Sequence, residues 1–144
     1  MIRQGEPRDA ERVYSIVTQF IDTAKFLCLK CHDKEKTWAF IVQMLPTSYI
    51  AEMDGKVVGM VAGYITTYQL SDDIIYQTLF WWADKDNREV STKLYKHLES
   101  ECIAKGVKFL VMGHMWESET VHLERFYNMH GFTKLETHYI RELT

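Results

Sequence analysis

Two side chains near the end of the chain are suited to moving protons. Tyr127 lies in Glu124-Arg125-Phe126-Tyr127-Asn128-Met129-His130-Gly131-Phe132, where Gly131 supplies the left-handed residue that closes a helix and so fixes the tyrosine on the last turn. His114, in Gly113-His114-Met115, carries an imidazole, the side-chain type best suited to exchanging protons near neutral pH. Each has an ordinary alternative. In a Schellman-type cap the residue after the glycine packs on the last helical turn, so Phe132 against Tyr127 is also plain packing. A lone histidine is also at home as a hydrogen-bonded structural residue. Glu117 and Glu119 could hold a cation or take a proton, although carboxylates at a helix start are commonly just solvated there.

A third constellation is Cys28-Leu29-Lys30-Cys31-His32, which matches the C-x-x-C-H string of covalent haem attachment. That attachment follows export to an oxidising compartment, and the opening Met1-Ile2-Arg3-Gln4-Gly5-Glu6-Pro7 does not read as a leader. As zinc ligands Cys28, Cys31 and His32 lack a fourth partner at finger-like spacing. No metal is expected, and the two thiols read as loop residues. With Cys102 the count is odd, which does not suggest a disulfide framework.

The 144 residues are 47% hydrophobic, which suits one compact domain over 1–144 with a sizeable core. A net charge of −3 and the lack of a basic run argue against nucleic acid as a partner. No apolar run approaches the ~20 residues needed to cross a bilayer, so a soluble, cytoplasmic protein is expected, with no membrane partner.

The elements that must position these groups are read from periodicity. Met1-Ile2-Arg3-Gln4 is a short strand. A helix over Pro7–Ile21 carries Val13, Ile16, Val17 and Phe20 at helical spacing. An irregular connection over Asp22–Asp33 precedes a second helix with Trp38, Ile41, Val42 and Leu45 on one stripe, halted by Pro46. Asp54-Gly55 between β-prone runs predicts a hairpin of Tyr49–Met53 with Lys56–Ile65, and Gly59 and Gly63 suggest bulges or close backbone approach. Ile74–Ala83 is the longest strand candidate. A helix over Glu89–Lys105 buries Val90, Leu94, Leu98 and Cys102 and ends at Gly106. Val107–Met115 is a fifth strand, a helix starting at Ser118 or Glu119 ends at Gly131, and Phe132–Leu143 supplies one or two final strands.

This order, with a Phe-Tyr pair followed by three residues and Gly-Phe, resembles the GNAT superfamily of N-acetyltransferases over essentially the whole chain, and looks like the short stand-alone members carried by tailed phages. The resemblance implies an α/β (α+β) fold: a mixed, mostly antiparallel sheet of six to seven strands flanked by about four helices. It implies acetyl-coenzyme A as co-substrate, a small-molecule or protein amine as acceptor, and direct attack of the amine on the thioester. A homodimer is compatible with it. By the same resemblance Tyr127 is the general acid beside the coenzyme sulfur; His114, at the end of the fifth strand, is favoured as the base because imidazole suits taking a proton from an ammonium near neutral pH. Phe80, Trp81 and Trp82 lie on the strand that offers backbone groups to the pantetheine arm, and Thr120 takes the place of a pantetheine-holding asparagine. Alternation sends Phe80 and Trp82 to one face and Trp81 to the other. Asp72 and Asp73 could attract a cationic amine, or serve as turn residues.

The pyrophosphate loop, Arg/Gln-x-x-Gly-x-Gly/Ala in the family, falls on Asp86-Asn87-Arg88-Glu89-Val90-Ser91, continuing into Thr92 and Lys93. Both glycines are missing. If Glu89 had to be left-handed the cost would be on the order of 1–2 kcal/mol, and its carboxylate some ~6 Å from a phosphate charge would add roughly 0.7–3 kcal/mol. Lys85, Arg88 and Lys93 could offset part of this. Asp86 with Glu89 also has the form of a capping box, which would occupy the anion site from within. The alternative to an enzyme is therefore a catalytically silent GNAT fold serving as a binding or inhibitory module, with weak or no coenzyme binding.

Overall fold

The computed structural model describes residues 1–23, 33–114 and 120–143, which fall into two compact units, Met1–Met112 and Gly113–Thr144. The first unit runs β1 (Ile2–Gln4), a 3-10 turn (Pro7–Asp9), α1 (Ala10–Thr23), α2 (Lys34–Met44), a second 3-10 turn (Leu45–Thr47), β2 (Tyr49–Met53), β3 (Lys56–Thr67), β4 (Ile74–Ala83), a third 3-10 turn (Lys85–Asn87), α3 (Val90–Ala104) and β5 (Phe109–Val111). The second unit holds α4 (Thr120–Met129). The strands form one sheet in the order β1-β2-β3-β4-β5, antiparallel except for the parallel pair β4–β5.

The β2–β3 hairpin forms where Asp54-Gly55 predicts it. Both residues have positive φ, +50° and +75°, the geometry of the two-residue turn whose twist matches the flanking strands. Asp54 is the one described non-glycine residue with positive φ.

The sheet buries both faces. On one, Val90, Leu94, Leu98 and Cys102 of α3 pack against Tyr49, Val61 and Tyr76, with Trp81 and Ala83 at the margin. On the other, Ala10 and Val13 of α1 with Ile41 and Met44 of α2 cover Ile50, Met60 and Ala62, with Phe80 and Trp82 at the margin. A fully buried leucine such as Leu94 or Leu98 contributes about 1.5–3 kcal/mol through the area it removes from water. Gly59 makes the first face possible: a Cβ there would lie 2.8 Å from Val90 Cγ2 and 3.0 Å from Leu94 Cδ1, so its bare backbone admits α3 onto β3.

A bulge divides β4. Gly63 pairs with Thr78 and Ala62 with Phe80, which leaves Leu79 as the extra residue. The extra residue reverses the alternation. Tyr76 faces α3, as do the odd-numbered Trp81 and Ala83 beyond the bulge, while Phe80 and Trp82 face α1 and α2. The expected split of the three aromatics is therefore observed, and Gly63 marks the bulge. A Cβ on Gly63 would come 2.2 Å from the Gln77 carbonyl oxygen.

Several expectations are corrected. The sheet has five strands among the described residues, not six to seven, because Phe132–Leu143 forms no strand. In that segment Leu135, Tyr139 and Leu143 are exposed, and no ladder partner lies beside them among the described residues; β-propensity without a partner does not make a strand. The fifth strand is confined to Phe109–Val111, and β3, at 12 residues, is longer than β4, at 10. In α2 the buried residues are Ile41 and Met44, with Leu45 just beyond, whereas Trp38 and Val42 are exposed. Cys28, Cys31, His32, Met115, Glu117, Ser118 and Glu119 lie outside the described residues.

Candidate functional site

β4 is laddered to β3 along its length and, among the described residues, to β5 over Ile75–Gln77. At its start the Ile74 carbonyl accepts from the Lys108 N–H (2.8 Å), so even-numbered peptide groups face β5 there. Just past its end the Asp84 N–H donates to the Val58 carbonyl (2.8 Å), so even-numbered groups there face β3. The Leu79 bulge accounts for the exchange. Beyond it Ala83 turns its peptide group toward the side that β5 occupies lower down, and among the described residues the β5 ladder stops at Gln77. Such a strand edge can pair with an extended chain bearing amides. Phe80, Trp81 and Trp82 thus sit on the segment where the ladder opens, with their rings anchored in the two cores. Phe80 meets Phe20 edge-on at 5.0 Å, Trp81 tilts on Tyr95 at 6.4 Å, and Arg12 lies 6.0 Å over Trp82.

At the far end of β4 the chain enters α3 through a right-handed turn. Arg88 (φ −59°, ψ −25°) and Glu89 (φ −62°, ψ −22°) are both helical, so the absence of glycine causes no backbone strain and the left-handed cost does not arise. The capping box does not form either. Asp84 is the residue before the 3-10 turn, Asp86 lies inside it, and Glu89 makes no side-chain cap bond at the start of α3. The amides are partly used internally: Asn87 N–H donates to the Asp84 carbonyl (2.9 Å) and Ser91 N–H to the Arg88 carbonyl (3.1 Å). Val90 is buried in the core, whereas Lys85, Arg88, Glu89, Thr92 and Lys93 are exposed. No left-handed residue gathers the N–H groups of this turn into an anion nest.

In the second unit the two proton-moving candidates meet. The Tyr127 hydroxyl donates to the Gly113 carbonyl (2.7 Å), and the Tyr127 and His114 rings stack at 6.5 Å and 16°. The cap has the Schellman form: Gly131 takes φ +80°, Phe132 N–H donates to the Tyr127 carbonyl (3.0 Å), and the Phe132 ring leans on Tyr127 at 5.4 Å. Packing and placement are therefore the same feature. Burial pushes the Tyr127 phenol up to about 12, which keeps it protonated at neutral pH. Thr120 is the first residue of α4, and its side chain lies outside the described residues.

Other groups resolve as structural. Asp73 accepts from Ser71 Oγ (2.8 Å) and Lys108 Nζ (3.1 Å), which makes it a turn clamp. Burial pushes the Cys102 thiol up to about 11, marking it as a packing residue. A network that sequence reasoning missed joins Arg3 to Asp9 (2.8 and 2.9 Å) and Glu52 (3.1 Å), locking the α1 entry to β1 and β2. Only the charge pattern hinted at it. Among the described residues no helix is long and apolar enough to cross a membrane, and no group of three or more His, Cys, Asp or Glu side chains could hold a metal ion.

No family model matches the chain, and no curated protein matches it. Solved structures do. A ribosomal-protein-alanine N-acetyltransferase from Brucella melitensis biovar Abortus 2308 is similar at TM-score 0.72 and 15% identity, over 99% of each chain. An aminoglycoside acetyltransferase from an uncultured soil metagenomic sample, in complex with sisomicin, is similar at TM-score 0.73 and 13% identity, over 100% of this chain and 96% of that one. A second aminoglycoside acetyltransferase from such a sample is similar at TM-score 0.72 and 15% identity, over 100% and 98%. With the sheet, the bulged and half-laddered β4 and the capped α4, these likenesses show that the chain has the GNAT acetyltransferase fold.

Proposed function

We propose that the protein is an N-acetyltransferase that moves acetyl from acetyl-coenzyme A to a primary amine on a small molecule or protein, by direct attack and without a covalent enzyme intermediate. The observation that carries this reading is the end of the β4–β5 ladder at Gln77 in a fold shared with acetyltransferases. The coenzyme supplies the activated thioester. The β4 segment beyond the bulge, through peptide groups such as that of Ala83, pairs with the amides of the pantetheine arm. Lys85, Arg88 and Lys93 offer charge to the phosphates, with Thr92 and the backbone of Glu89, Val90 and Ser91 beside them. Thr120 is assigned to the pantetheine. His114 takes the ammonium proton.

Tyr127 holds a proton at its hydroxyl. Its value near 12 lies well above the ~8.5 of an ordinary thiol, so it acts chiefly as a hydrogen-bond donor, its hydroxyl turning from the Gly113 carbonyl to the charge building on sulfur. One observation favours a second reading, a catalytically silent binding module: the right-handed 85–91 turn with Glu89 exposed. Thiol release from acetyl-coenzyme A with a panel of primary amines separates the two. Amine-dependent release that falls about a hundredfold in Tyr127→Phe supports the enzyme. No release with any amine at millimolar thioester supports the silent module.

A further inference from the structure

Resting on the acyl-transfer reading above, we infer that Thr78 is a positioning residue for the pantetheine arm, its hydroxyl tied to the Met112 thioether as a side-chain rung that fixes the point where β4 and β5 part. Thr78 is 8% exposed, and a hydroxyl so buried needs a partner. Its Oγ1 donates to Met112 Sδ at 3.0 Å. A thioether is a weak acceptor, and a valine would fill about the same space with no hydroxyl to satisfy, so stability gives little reason for a threonine here. Position gives one.

The three β4–β5 rungs pair Ile75 with Phe109, Tyr76 with Leu110 and Gln77 with Val111. Thr78 and Met112 occupy the next place in that register, where among the described residues the backbone ladder has stopped and the side-chain bond takes over. One residue further along β4 comes Leu79, the bulged residue at which the strand bends. Thr78 is also the residue paired with Gly63, whose bare backbone the bulge requires. The last residue before the bend is thus fastened on both sides, to β3 through the ladder and to β5 through sulfur.

The end of a ladder frays most readily, because its final rung is held from one side only. A bond at Thr78 keeps fraying from running back to Gln77 and holds the gap beyond it at one width, which pre-organises an edge that must meet the amides of an extended arm. The rung does not occupy that edge. Tyr76, two residues before Thr78, and Met112 both pack in the core that α3 covers, so the rung stands on the α3 face of the sheet and leaves the peptide groups beyond the bulge clear.

The test is arm binding, read as the Kd of S-acetyl-pantetheine in an NMR titration of the 15N-labelled protein, beside thermal unfolding of each variant. Thr78→Val keeps the volume and removes the donor, so binding should weaken about fivefold, the scale of one hydrogen bond. Thr78→Ser keeps the donor and removes a methyl, so it should bind within about twofold of wild type although its Tm falls below that of Thr78→Val. Met112→Leu removes the acceptor and should match Thr78→Val, and the double variant should bind no more weakly than either single one, the mark of a shared bond. A Kd unmoved in Thr78→Val, a Kd that follows Tm across the valine and serine variants, or additive effects of Thr78→Val and Met112→Leu overturns the inference while wild-type binding keeps the arm site standing. Wild type that shows no saturable binding of the arm overturns both.

Discussion

Replacing Gly63 by alanine tests whether the bulge that opens β4 depends on a bare backbone. The new Cβ would sit 2.2 Å from the Gln77 carbonyl oxygen, 2.7 Å from Tyr76 Cε1 and 3.0 Å from the Gln77 carbonyl carbon. Relief requires the strand itself to retreat by about 1 Å, because two of the three obstacles are backbone, and overpacking of this kind falls at the upper end of the ~1–3 kcal/mol range. Gln77 is also where the β5 ladder ends, opposite Val111, and the Gly63 carbonyl accepts from Thr47 Oγ1, so the shift spreads to both. Gly59→Ala is the control. Its Cβ meets Val90 Cγ2 and Leu94 Cδ1 at 2.8 and 3.0 Å and backbone, the Trp82 carbonyl oxygen, only at 3.2 Å, so mainly side chains have to give and the cost should be nearer ~1 kcal/mol. The difference of about 2 kcal/mol corresponds to a Tm lower by about 4–8 °C in Gly63→Ala for a chain of this size. Thermal and urea unfolding followed by circular dichroism give the comparison. Equal stability of the two variants would refute the assignment of Gly63 to a backbone-limited bulge.

Arg3→Ala removes both bonds to Asp9, which is 5% exposed, and should cost about 3 kcal/mol because the carboxylate stays buried. Burial alone would raise Asp9, but the bonds from Arg3 and the Glu6 N–H outweigh it and hold the carboxyl below its usual range. Its stabilisation is therefore complete above the unfolded value near ~3.9 and lost as pH falls through the folded one, so Tm should drop below about pH 4, and drop less in Arg3→Ala. Glu89→Gly/Ser91→Gly should tighten acetyl-coenzyme A in calorimetry by about three- to a hundredfold, the charge contribution alone, since no backbone strain is relieved; a larger gain would mean that the wild-type turn is strained. With Tyr127 raised to about 12, the rate ratio of wild type to Tyr127→Phe should stay level up to about pH 11, and a decline centred near pH 10 would contradict that raised value.

The parts of the fold legible in the sequence are those with a local cause. Asp54-Gly55, Gly106 and Gly131 each take positive φ where a turn or a helix end is expected, and Val90, Leu94, Leu98 and Cys102 form the buried stripe that their spacing predicts. What depends on partners was not legible. Trp38 and Val42 share the helical spacing of Ile41, yet burial follows which side meets β3, and Phe132–Leu143 has strand-like residues but no described partner. At the site, Gly63 signalled a bulge, but the exchange of strand sides at Leu79 depends on pairing with β3. The glycine-free loop was visible, but a right-handed 3-10 path that needs no glycine was not.

Under the proposed function, β4 beyond its bulge is a pantetheine-binding edge. Amide-resolved NMR of the 15N-labelled protein during titration with S-acetyl-pantetheine tests it directly, because that ligand carries the arm without any phosphate. Saturable shifts are expected at backbone amides of the edge past Gln77, that of Ala83 above all, with the hairpin turn at Asp54-Gly55 unmoved. Amides of β4 that stay in place at millimolar ligand, or shifts confined to other strands, would contradict it.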